Sequence, residues 1–188
     1  MESSRHLIAA WIVVCALSGV AATAAAQSSA TYVTLAAGQA VQQDSPDETY
    51  DHWGLTARAG IGRILTRRVA AQAEFSLSSF DAPLAFDCGF PPCPRYGDVR
   101  TQSYTVAIVV SSDPDAPAPY ALAGVGARRF VDHPFVAGTT YLVLQAGLGV
   151  VFVQRGRFQM MLDVRYERVP TIPGGPAWQL PVTLALRL

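Results

Sequence analysis

Two neighbouring pairs, Asp51-His52 and Asp132-His133, and two cysteines, Cys88 and Cys93, carry the side chains best suited to reactive chemistry. An aspartate that orients a histidine is the pairing a general base requires. Ser45 is the only serine between Gln43 and Asp51, and no His-x-Ser element occurs, so a nucleophile to serve that base is not evident. Solvated histidines on loops are the plainer reading, and no catalytic, cofactor or metal site is assigned. The cysteines lie in Cys-Gly-Phe-Pro-Pro-Cys; a metal site would need further ligands that this stretch lacks. Arg58, Glu74, Asp163, Arg165 and Glu167 form a third set, whose meaning depends on the elements that carry them.

Those elements are strands. From Trp178 to Leu188 the chain alternates, with Trp178, Leu180, Val182, Leu184, Leu186 and Leu188 on one face and Gln179, Thr183 and Arg187 on the other. Seven earlier segments read the same way, giving strands at about 30–42, 52–65, 69–80, 99–111, 118–131, 140–154, 157–168 and 177–188. An even number of alternating strands of about ten residues is the pattern of a transmembrane β-barrel. The connections support it. Thr66-Arg67-Arg68, Asp113 to Pro117 and Arg155-Gly156 are short or tight. Gln43 to Asp51, Asp81 to Asp98, Asp132 to Thr139 and Pro170 to Pro176 are mostly longer and rich in Pro, Gly and Asp. Short periplasmic turns and longer outer loops are the rule for such barrels, with both termini in the periplasm.

Targeting and composition agree. A polar start with Arg5 and His6 precedes an apolar run from Leu7 to Val20, and Ala24-Ala25-Ala26 suits a signal-peptide cleavage site. The run is short for a membrane helix, which needs about 20 residues. Residues 1–26 are therefore expected to be a signal peptide and 27–188 the barrel domain. Charged residues make up 15% of the chain, against about 25% in ordinary soluble domains. Lipid would relieve that shortage. Net charge is zero and nothing points to nucleic acid. In the oxidising exported compartment, Cys88 and Cys93 are expected to form a disulfide.

The alternation assigns faces. Trp53, Leu55, Ala57, Ala59 and Ile61 oppose Thr56, Arg58, Gly60 and Gly62; Phe75 and Leu77 oppose Glu74, Ser76 and Ser78. Leu142, Leu144 and Leu148 oppose Gln145, Gly147 and Gly149; Leu162, Val164 and Tyr166 oppose Asp163, Arg165 and Glu167. The first and fifth strands give no clean register. Arg58, Glu74, Asp163, Arg165 and Glu167 thus project inward as an ionic cluster, read either as a polar pathway or as a neutralised plug closing the lumen, the latter preferred. Arg128 and Arg187 are expected to be outliers. Three copies of Ala-Gly-apolar-Gly, at 59–62, 123–126 and 146–149, lie inside strands, and their inward glycines are expected to leave room for arginines from neighbouring strands. Trp53, Tyr141, Tyr166 and Trp178 are placed in an outer aromatic girdle, and Tyr32, Tyr120, Phe152 and Phe158 in an inner one.

With its Gly-x-Gly strands, its loop rhythm and its amphipathic last strand, the chain from about residue 30 to 188 resembles the small eight-stranded outer-membrane proteins of the OmpX, opacity-protein and OmpA-barrel type. That resemblance implies an all-β, eight-stranded antiparallel up-and-down transmembrane β-barrel in the cell outer membrane. It carries no activity. Two departures stand out: the chain ends in Leu188 where the family usually has Phe or Trp, and Pro181 interrupts the last strand, where a bulge is expected. No peptidoglycan-binding domain is expected to follow. The expected role is structural or surface-interactive, as a monomer. Its partners would be outer-membrane lipids and lipopolysaccharide, and the barrel-assembly machinery during insertion. The alternatives are a lipid A-modifying enzyme of the deacylase or acyltransferase type, or a secreted lipocalin-like binder of an apolar ligand, which would turn the aliphatic faces inward.

Overall fold

The computed structural model describes residues 31–43, 52–80, 98–112, 117–132, 137–156, 158–171 and 177–188. They form eight strands: β1 (Thr31–Gln43), β2 (His52–Ile64), β3 (Val69–Phe80), β4 (Val99–Ser111), β5 (Pro119–Asp132), β6 (Thr140–Arg155), β7 (Phe158–Val169) and β8 (Ala177–Arg187). Every strand pairs antiparallel with its sequence neighbours, and β1 pairs with β8 to close the barrel. The bounds lie within a residue or so of those expected from alternation.

The register sets the shape. Following paired residues from Val33 leads through Ile61, Ala73, Val106, Val125, Leu144, Arg168 and Trp178 to Gln43, ten positions further along β1. A stagger of that size over eight strands tilts them by roughly 40° to the barrel axis. Two irregularities interrupt the ladders, at Arg100/Thr101 against β5 and at Val151/Val153 against β7. The tight β6–β7 turn uses Gly156 at φ 59°, a left-handed backbone that glycine adopts without steric cost.

Pro181 makes no bulge. It pairs with Ala40 in an unshifted β1–β8 register, and the β7–β8 register is the same before and after it, from Val164↔Val182 to Glu167↔Gln179. In an antiparallel strand one residue's N–H and C=O point to the same neighbour. The missing donor of Pro181 therefore costs pairing only on the β7 side, where the ladder between those two pairs is open.

Large aliphatics face out: Leu148 is 70% exposed and Leu55 69%, with Leu35, Ile61, Leu162, Val182 and Leu184 also exposed. The interior holds Thr56, Arg58, Gln72, Glu74, Ser103, Gln145, Asp163, Arg165 and Glu167, all buried. This is the inverse of a soluble barrel that stores an apolar ligand. Apolar side chains nevertheless close both ends of the lumen. Tyr32, Ala70, Val109, Tyr120, Leu122, Val151, Met161 and Ala185 cluster at the end holding the short turns. At the other end are two smaller clusters, Phe130 with Val143 and Val169, and Ala40 with Phe80 and Val99.

Tyr32 and Tyr120 correct the girdle assignment. Both are buried inside the barrel, at 5% and 7% exposure, instead of lying at the lipid interface. Their rings occupy the space above Gly62 and Gly149, where a Cβ would collide with them. The paired glycines therefore accommodate tyrosines as well as Arg165, which lies against Gly147. Trp53, Phe152 and Tyr166 do face outward. At the outer rim Tyr166 stacks on Trp178 with ring centroids 6.4 Å apart, and Trp178 donates Nε1–H to Gln43 Oε1 at 2.5 Å.

Candidate functional site in the charged interior

Arg58, Glu74, Asp163, Arg165 and Glu167 all project into the lumen, because each occupies the inward phase of β2, β3 or β7. Four of them form one connected network. The Arg165 guanidinium donates to both carboxylate oxygens of Glu74, with Nη2 at 3.1 Å from Oε1, and Nη2 also reaches Asp163 Oδ2 at 3.1 Å. Arg58 Nη2 donates to Asp163 Oδ1 at 2.5 Å and bonds the Thr183 hydroxyl as well. Asp163 further accepts from Thr183 Oγ1 at 2.7 Å and from the Tyr120 hydroxyl at 3.1 Å. Every lone-pair direction of this carboxylate is in use.

The network extends toward the inner end through neutral groups. Gln72 Nε2 donates to Glu74 Oε1 at 2.8 Å and to Thr34 Oγ1 at 3.2 Å, and Tyr32 donates its hydroxyl to Gln72 Oε1 at 3.0 Å. Glu167 instead pairs with Arg128, which also donates Nε–H to Ser103 Oγ at 2.9 Å. Arg128 was not expected inside, and it is among the most buried side chains at 2% exposure. The clue is its phase: Arg128 shares the even positions of β5 with Gly124 and Gly126, so inward glycines require an inward Arg128.

Three arginines thus meet three carboxylates. Charges taken out of water are tolerable only when paired and hydrogen-bonded, and each of the six is. Arg58 Nε and Nη1 and Arg165 Nε have no protein acceptor, positions that in a polar lumen suit internal water. Among the described residues no three His, Cys, Asp or Glu side chains gather as a metal site requires.

Of the other candidates, His52 opens β2 and Asp132 closes β5, where its Oδ2 lies 4.0 Å from Arg100 Nε on the exposed surface. Asp51, His133, Ser45, Cys88 and Cys93 lie outside the described residues, as do residues 1–26.

The family model described as outer membrane protein beta-barrel domain matches residues 12–176. No curated protein matches the chain. Among solved structures, neisserial surface protein A is 14% identical with a TM-score of 0.69, covering 86% of this chain and 99% of its own. OprG from Pseudomonas aeruginosa is 11% identical with a TM-score of 0.51, covering 85% and 97%. The N-terminal β-barrel domain of OprF from the same organism is 14% identical with a TM-score of 0.50, covering 84% and 97%. At these identities the likeness is one of fold.

Proposed function

Because the chain belongs to the outer membrane protein β-barrel domain family, we propose that it serves the outer membrane as a closed barrel with a structural or surface-interaction role, and not as a pore. The observation that carries this reading is the layered lumen. A neutral cluster of three arginines and three carboxylates lies between apolar clusters at both ends. An ion entering from either end would have to pass an apolar layer before reaching charges already committed to each other. An eight-stranded barrel has an interior just wide enough for side chains to fill, which supports the same conclusion.

On this reading the working surface is the set of four longer outer connections. Residues 1–26 serve as the cleaved export signal, the assembly machinery is a transient partner, and the inserted protein is a monomer in contact with lipid and lipopolysaccharide. The proposal includes no catalysis.

Conductance of the purified protein in planar bilayers tests it. The expected record is flat or shows only rare, small openings. A large, steady conductance would overturn the closed-lumen reading.

A further inference from the structure

The inner mouth of the barrel is a blind cup of about 460 Å³. Its floor is the apolar cluster that contains Tyr32, Val109 and Val151. Three arginines are among its lining residues, Arg67 and Arg68 from the β2–β3 turn and Arg187 from the end of β8. Gln159, Thr66 and Ser111 add neutral polar residues, and among the described residues no Asp or Glu side chain lines it.

Arg187 is the anchor. Its guanidinium lies over the Tyr32 ring at 4.2 Å, and Nη1 donates to Gln159 Oε1 at 3.1 Å. Tyr32 is itself fixed by its bond to Gln72, so the stack has a set position. The Nε–H of Arg187 is buried without an acceptor. Arg58, Arg128 and Arg165 each hold a carboxylate, whereas Arg187 has none among the described residues. A planar, preoriented guanidinium with unused donors beside two further arginines is a receptor for an oxyanion.

We propose that this vestibule binds a phosphate or carboxylate group presented from the periplasm. The blind floor means that it captures the anion without passing it. The inference does not depend on the role of the outer surface.

Calorimetric titration of the folded protein in phosphatidylcholine nanodiscs, with inorganic pyrophosphate and with citrate as probes, tests the site. Saturable binding is expected for at least one probe, weakened by about tenfold in Arg187→Gln, the scale of one lost charge-assisted hydrogen bond. Arg68→Gln, on an exposed turn where substitution spares the barrel, should weaken binding in the same direction. Arg155→Gln removes a charge from the same rim outside the cup and should leave affinity unchanged. No saturable binding of either probe would overturn the proposal. So would equal losses in all three variants, which would reduce the site to diffuse attraction by a basic rim.

Native mass spectrometry from nanodiscs containing phosphatidylglycerol separates the two sources of phosphate. A lipid retained by the native chain and lost in Arg187→Gln supports the site with a headgroup as occupant. Equal retention, together with pyrophosphate binding, supports it with a soluble anion.

Discussion

Arg165 on β7 and Glu74 on β3, 91 positions apart in sequence, face each other across the lumen and join through two hydrogen bonds. Both side chains are more than 90% buried. Removing Glu74 leaves Arg165 with Asp163 alone and the cluster with one positive charge in excess, and loss of one partner from a buried pair costs about 3–5 kcal/mol. Glu74→Gln is therefore expected to lower the urea-unfolding stability of the barrel by about that amount. Converting both residues, in Glu74→Leu with Arg165→Met, should cost clearly less than the sum of the single changes. Additive losses would show that the two residues are not coupled.

The seat of Tyr120 against Gly149 predicts a steric effect separable from a polar one. Gly149→Ala places a Cβ inside the tyrosine ring and should destabilise by about 1–3 kcal/mol, as overpacking of a filled interior does. Tyr120→Phe removes only the hydroxyl bonded to Asp163 and should cost about 0.5–1.5 kcal/mol. Combining Gly149→Ala with Tyr120→Leu should recover part of the steric loss. Thermal unfolding followed by circular dichroism reads all three.

Leu148 is the most exposed of the large outward aliphatics, at 70%. In lipid, Leu148→Arg should destabilise by about 2–4 kcal/mol, while the same change at Thr140, at the outer end of β6, should cost no more than about 1 kcal/mol. Refolding into vesicles with urea titration gives both values. Equal, small costs would mean that the outward face meets water.

Cys88 and Cys93 are expected to form a disulfide in the exported protein, stiffening the loop between β3 and β4. Non-reduced protein should then show no reactive thiol until a reductant is added. Two free thiols under non-reducing conditions would remove the bond from the account.

Much of this was legible because one face of each strand had to be apolar and the other did not. On β2, β3, β6 and β7 the alternation is clean, so the inward set containing Arg58, Glu74, Asp163, Arg165 and Glu167 follows from phase alone. On β1 and β5 it is blurred by residues that suit either face: Ala36-Ala37-Gly38 in one, Ala121 to Gly124 in the other. With the phase lost, Arg128 was placed wrongly, and Tyr32 and Tyr120 were read as interface aromatics. The inward glycines held the missing information, since Tyr32 is in step with Gly38, and Tyr120 and Arg128 with Gly124 and Gly126. Pro181 misled for another reason. A proline removes a donor on one side only, and the open stretch of the β7–β8 ladder absorbs it.

The seam between β1 and β8 has a consequence for the order in which the molecule forms. Seven of the eight strand interfaces are hairpins between sequence neighbours, and such local pairings close quickly. The eighth must wait for the last strand, where Val33 and Leu188 exchange two backbone hydrogen bonds. Arg58 reaches Asp163 and Thr183 over separations of 105 and 125 positions, so these bonds also wait for the sheet to curl shut. Until then the six interior charges need water. An unclosed sheet carrying them would resist entering the hydrocarbon layer. The ionic cluster thus makes closure and insertion a single event, and a chain stalled before its final strand remains at the membrane surface.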